Sequence, residues 1–351
     1  MTQLAPSLFG LSNSNRDFTK KDAWGKNQFN SSFPASLCCY LNSKEKKACY
    51  LRIEKKEFSV GEISIEDVFG ISPADQDIFF AFEASHSPFQ KYVIGTLPRT
   101  DLVIQRKSNG ECLAGLEIKL TALPDNTTCD LPDSSYGSEI VVRPDTIVYL
   151  ACSIVKSLGN KINKIVYSDF SIVDWANAHE VLPNVTSIVK AIKKLSIVLE
   201  KNQTPFLLQP IWKTKGKSPE LADNCLDVFV WSDAGFSYFI SEIVDGSEEV
   251  TKINRQTRTA IWLYKMLLDY KNHGKFDHQN IIDLLSYNAK NDKAFASSGN
   301  VTNKFMTCSR LNKPEIPKAE IKDIILGGGH KLLSPERRFD AIISNTPGLF
   351  V

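Results

Sequence analysis

Apolar and polar positions alternate most regularly over residues 100–121, TDLVIQRKSNGECLAGLEIKLT. Asp101 opens a short apolar run (Leu102, Val103, Ile104), and Ser108-Asn109-Gly110 supplies turn chemistry. The chain then returns through residues 112–120. Side chains alternate faces along a strand, so Leu116, Ile118 and Leu120 point one way, into a core. Glu117 and Lys119 point the other way. The pattern predicts an antiparallel hairpin.

Elsewhere the periods of two and of 3.6 residues take turns. A short helix is predicted over 34–41 and a strand over 48–53. Acids stand among apolar residues over 65–69 and 76–82. Arg143-Pro144-Asp145 reads as a helix start. The following IVYLACSIVKSL is apolar nearly all round, hence a buried helix. Ile188, Ile192, Leu195, Val198 and Leu199 form a stripe, with Lys190, Lys193 and Lys194 on a solvated face. Strands are predicted over 205–212 and 226–231. An amphipathic helix follows in NRQTRTAIWLYKMLLDY, and another over 277–287. The fold class is α/β, a mixed central sheet flanked by helices.

The hairpin's acids need a reason. A carboxylate and an ammonium on an otherwise apolar strand cost free energy unless something partners them. A divalent metal is one answer. Asp101 and Glu117 would supply oxygen ligands, with the Ile118 carbonyl as a third. Mg²⁺ suits such a sparse site, with waters completing its shell. Lys119 would then stand beside the attacking water. An acid, a gap and Glu-x-Lys on one strand face is the PD-(D/E)XK nuclease pattern. Glu-x-Lys alone is weak, for it also starts at Glu45, Glu54 and Glu320. Only the copy at Glu117 has apolar alternation around it and an acid heading the preceding strand. The competing reading is a surface Glu–Lys pair on the open face of a hairpin. Glu66 or Glu83 could complete a metal shell, or could be structural.

Composition narrows the class. The 351 residues suffice for one large domain or two, and 42% hydrophobic with 23% charged residues is ordinary for a soluble globular protein. The net charge of +2 carries no basic tail, but a DNA enzyme needs only a locally basic cleft. No apolar run reaches the roughly 18 residues of a membrane span. MTQLAPSLFG lacks the pattern of a secretory signal. Eight cysteines without Cys-x-x-Cys spacing suggest reduced thiols in a bacterial cytoplasm.

Residues 1–35 read as an irregular N-terminal arm, in which Arg16, Lys26, Asn27 and Asn30 are interleaved with Phe18, Trp24 and Phe29. Either the aromatics simply pack it, or the arm touches DNA, with cations on phosphates and amides on base edges. Residues 36–240 would hold the catalytic core. Residues 241–351 form a helical and loop region for recognition or dimer contacts. There, Arg255, Gln256 and Arg258 start a helix suited to phosphate, and Asn300 and Lys304 could face DNA. Gly327-Gly328-Gly329 lacks the Lys-Ser/Thr of a P-loop and reads as a helix stop.

LFGLSNSNRDF and WGKNQFNSSFPASL near the start, together with TDLVI…LEIKLT, resemble the HindVP-type restriction endonucleases. The resemblance implies a Type II enzyme that cuts double-stranded DNA at a short palindrome, GRCGYC by analogy. It implies a twofold homodimer and a cognate DNA methyltransferase as a genetic partner. Its catalytic residues fall on Asp101, Glu117 and Lys119. Thr100 stands where the motif has Pro, which lowers motif specificity without removing a ligand. The alternatives are a repair or recombination nuclease on the same core, or a non-catalytic DNA-binding protein.

Overall fold

A computed structural model describes residues 11, 13–16, 26–118, 140–166, 170–210, 212–215, 218–221, 228–245, 253, 255–287, 295–297 and 324. In chain order its elements begin with α1 (Lys26–Ser43), β1 (Ala48–Glu54), β2 (Glu57–Ile63), α2 (Ile65–Phe69) and β3 (Ile78–Ala84). The hairpin β4 (Thr100–Arg106) and β5 (Cys112–Ile118) follows, then β6 (Ile140–Val142) and α3 (Pro144–Leu158). Next come α4 (Ile162–Ile165), α5 (Ala178–Val181), α6 (Val185–Leu199), β7 (Pro205–Pro210), β8 (Trp212–Lys215) and β9 (Ser218–Leu221). The remainder is β10 (Val228–Ser232), α7 (Asp233–Asp245), α8 (Arg255–His273), α9 (His278–Leu284) and β11 (Phe295–Ser297).

Seven strands form one mixed sheet in the order β2-β1-β10-β7-β5-β4-β3. The pairs β1/β10 and β5/β7 are parallel, and the other four are antiparallel. Two-stranded sheets β6/β11 and β8/β9 stand apart. One core joins β1 and β10 to α3, α6, α7 and α8, with Trp231, Tyr149, Phe236, Phe239 and Tyr264 fully enclosed. Helices α1 and α2 lie against the strands as well, α1 touching β5, β7 and β10. This is the mixed α/β architecture that the alternation of periods predicts.

Several elements depart from the expected bounds. Helix α1 starts at Lys26 and contains Pro34, so part of the supposed irregular arm is helical. Phe33, Leu37, Cys38 and Leu41 are buried at helical spacing, and that burial outweighs the backbone bond that Pro34 cannot donate. Strand β2 completes a hairpin with β1 that the polar sequence EFSVGEI conceals. On α6 the stripe buries Ile188, Ile192, Leu195 and Leu199, but Val198 is exposed, at the edge of the apolar arc. No described helix is long and apolar enough to cross a membrane.

Candidate active site

Strand register builds the site. Phe82 faces Leu102 and Ala84 faces Thr100, but the ladder skips Glu83 between them, where the backbone leaves strand geometry at φ 50°. Leu102 faces Leu116, which sets Asp101 opposite Glu117. Directly opposed residues share a face of the sheet. Asp101 and Glu117 therefore share a face, and with Glu83 on the neighbouring end of β3 they make a row of strand-end acids, where β5 leaves β4 and pairs with β7 through Glu117 and Leu207.

Glu117 is buried, at 6% exposure. It is not half of an open surface pair. The Thr100 hydroxyl donates to its Oε2 at 3.1 Å and the Thr146 hydroxyl to its Oε1 at 3.0 Å. Thr146 lies in the first turn of α3, where unsatisfied N–H groups and the helix dipole favour a negative charge. Thr100, in the position of the motif's Pro, also donates to the Leu116 carbonyl at 2.8 Å. It thus ties together the strand end on which both acids depend. Asp101 is half-buried, and its Oδ2 accepts the Ile118 N–H at 2.7 Å. The two acids are fixed by different donors, one by hydroxyls and one by backbone.

The floor beside Glu117 is apolar. A Cβ on Gly115 would come within 3.0 Å of the His86 Cβ, so glycine leaves the space that this imidazole fills. Burial pushes the His86 pKa down to about 4, the positive charge of Lys156 acting the same way. The ring is therefore neutral near pH 7, packed edge-on against Phe89 at 4.7 Å between centroids. The Tyr149 hydroxyl accepts the His86 N–H at 3.0 Å and donates to the Pro98 carbonyl at 2.9 Å. That link ties α3 to the approach of β4.

Arg16 is turned inward. Its guanidinium donates to Glu83 Oε1 at 3.1 Å, Ser31 Oγ at 2.8 Å and Ser32 Oγ at 2.6 Å. Burial lowers its pKa, while the negative charges of Glu83 and Asp101 oppose that shift. Lys26, Asn27 and Asn30 fall in the first turns of α1. Lys119, Asn300 and Lys304 lie outside the described residues, as does the Gly327 to Gly329 loop. Glu66 is exposed on α2. Arg258, expected at a phosphate-binding helix start, is instead buried, donating to the Ser286 carbonyl at 2.7 Å. Among the described residues no group of three or more His, Cys, Asp or Glu side chains is gathered closely enough to hold a metal ion.

The family described as HindVP restriction endonuclease matches residues 24–350. The chain belongs to that family. It is 53% identical over 349 residues to the probable type II restriction enzyme HindVP of Haemophilus influenzae, covering 99% of this chain and 96% of the relative. It is 46% identical over 352 residues to the type II restriction enzyme HgiDI of Herpetosiphon aurantiacus, covering 98% of this chain and 97% of that one. No solved structure matches. Family membership makes the chain a Type II restriction endonuclease, a site-specific deoxyribonuclease. Enzymes of this class act on double-stranded DNA and generally use divalent metal ions.

Proposed function

We propose that Asp101 and Glu117 form the cleavage centre of this HindVP-family enzyme and hold Mg²⁺ there. The observation that carries the reading is the burial of Glu117 in register with Asp101, each carboxylate fixed by its own donors. The donor set fits the ion. Carboxylate oxygens are the hard ligands that Mg²⁺ prefers, and two suffice when water and a phosphate oxygen complete the shell. When bound, Mg²⁺ supplies Lewis acidity at the scissile phosphate.

The chain's own residues do the rest. Thr100 and Thr146 hold the Glu117 carboxylate in one orientation, and the Ile118 N–H holds that of Asp101. Two positions fixed in this way set the distance at which a phosphodiester must approach, the source of an orientation advantage. Lys119 follows Ile118 and supplies the ammonium whose positive charge orients the attacking water and eases loss of its proton to solvent. In-line attack on phosphorus leaves 5′-phosphate and 3′-hydroxyl ends.

The target is a short palindrome, GRCGYC by analogy with the family, read by a twofold homodimer with one centre per strand. Lys26, Asn27, Asn30, Asn300 and Lys304 are the proposed DNA contacts. Plasmid incubated with the purified enzyme and Mg²⁺ should give a discrete fragment ladder, and sequencing the ends should return one palindrome. Cutting only at ends, branches or lesions would mark a repair nuclease instead. No metal-dependent cutting would mark a binding protein.

A further inference from the structure

Arg16 precedes the residues matched by the family, 24–350, yet its side chain ends in the acid row. The segment that carries it is laid along the edge strand. Ser14 bridges to Phe80 in parallel, and the Phe80 N–H donates to the Asn13 carbonyl at 2.8 Å. The Asn15 amide donates to the Phe82 carbonyl and accepts the Phe82 N–H, both at 2.9 Å. These bonds fix the backbone from which Arg16 reaches inward. Its guanidinium carbon then lies 4.3 Å from the centroid of the Phe82 ring. The Arg16 side chain is 10% exposed and that of Glu83 47%. Glu83 itself sits at φ 50°, a left-handed conformation that costs a non-glycine residue energy unless its surroundings enforce it. Strain at the outer member of the row, with a buried cation holding its side chain, is a placement that packing alone does not require.

We propose that Arg16 is a positioning residue of the cleavage centre, holding Glu83 at the outer end of the row and thereby setting how strongly the row attracts a divalent cation. The inference rests on the reading that Asp101 and Glu117 bind that cation. Glu83 and Asp101 both act electrostatically on Arg16, so without its charge both acids are left to draw a divalent ion. Arg16 lowers the charge of the row by one and occupies Glu83, which leaves the inner pair as the seat. Its anchorage to two serines and an aromatic ring keeps it in place when the ion arrives.

The test titrates Ca²⁺ into wild-type protein without DNA by calorimetry, and follows plasmid cleavage in Mg²⁺. Arg16→Gln should bind Ca²⁺ about tenfold tighter, the size expected for one charge removed close to a divalent ion. Its kcat should fall about tenfold with little change in KM. Arg16→Lys, which keeps the charge if the glutamine variant proves unstable, should bind Ca²⁺ within about threefold of wild type. The double variant Arg16→Gln/Glu83→Gln restores the charge of the row and should bind nearly as wild type does. Wild-type Ca²⁺ affinity in folded Arg16→Gln overturns the inference, as does a raised KM alone, which would mark a DNA contact. Asp101→Asn separates the two levels. If Asp101→Asn abolishes Ca²⁺ binding while Arg16→Gln leaves it unchanged, only this inference fails. If Asp101→Asn binds as wild type does, the metal reading beneath it fails too.

Discussion

Glu117 and Asp233 are both buried carboxylates, and each accepts hydrogen bonds from two hydroxyls supplied wholly or partly by α3. Glu117 accepts from Thr100 and from Thr146 in the first turn. Asp233 accepts on Oδ2 from Ser153 at 2.8 Å and Ser157 at 3.3 Å, farther along the same helix. Their surroundings separate them. Glu117 lies near the end of the interior strand β5, beside a helix N-terminus and in register with Asp101. Asp233 is fully enclosed at the start of α7, and its Oδ1 finds no hydrogen-bond partner among the described residues. Burial pushes its pKa up to about 7 despite both serines and the charge of Lys156. Two hydroxyls and a nearby ammonium are therefore too little to hold the Asp233 carboxyl in the ordinary carboxylate range. The acid proposed to bind metal differs from the core acid in the company of other charges and dipoles, not in burial as such.

Exchanging charge for amide at the two positions should split activity from stability. Glu117→Gln, which keeps the size, should lower cleavage by at least about 1000-fold, since it removes a proposed metal ligand worth several kcal/mol in the transition state. Its melting temperature should stay close to that of wild type. Asp233→Asn should cut within about twofold of wild type and change how stability depends on pH. Between about 4 and 7 the folded protein keeps the Asp233 proton that the unfolded chain releases, so Asp233 makes stability fall as pH rises. His86 has the opposite slope. Its pKa drops from 6.5 to about 4, so stability is lost as pH falls through that window. Asp233→Asn should leave only the second slope and gain up to a few kcal/mol near neutral pH, at about 1.4 kcal/mol for each tenfold difference in proton affinity between the folded and unfolded chains. Urea unfolding from pH 4 to 8 reads both. Identical pH profiles for the variant and wild type would break the comparison.

A smaller effect sharpens it. Thr146→Val removes one hydroxyl from Glu117 without changing shape. Hydrogen bonds to charged groups contribute about 1.5–3 kcal/mol, so kcat should fall roughly ten- to a hundredfold. Ser157→Ala takes a long bond from Asp233 and should leave cleavage unchanged, with a stability loss of about 1 kcal/mol or less. A catalytic defect there as large as that of Thr146→Val would mean that α3 acts as a whole rather than through its first turn.

The inner half of the proposed site is legible in the sequence because its signal is local. A hairpin needs only a turn and a period of two, and an acid inside that period stands out from its neighbours. The pairing of Glu83 with Arg16 carries no such signal, because they meet across 67 positions of sequence and through an isolated bridge at the sheet edge. The α3 hydroxyls are hidden in a segment whose composition correctly reads as buried on all sides. Buried Thr and Ser are ordinary in such a helix until their acceptors are known. The start of helix α1 escapes a sequence reading because Asn, Ser and Pro are poor helix formers, whose local preference tertiary burial overrides. Alternation alone puts Glu117 on an exposed or metal-facing surface, and the hydroxyls that enclose it come from β4 and α3.

The most direct measurement is single-turnover cleavage of target DNA by Asp101→Asn in Mg²⁺, run beside binding of the same DNA in Ca²⁺. The account predicts that cutting is lost by at least about 1000-fold while the variant still selects its target over other DNA. A folded Asp101→Asn enzyme that cuts at the wild-type rate would place the chemistry elsewhere in the molecule.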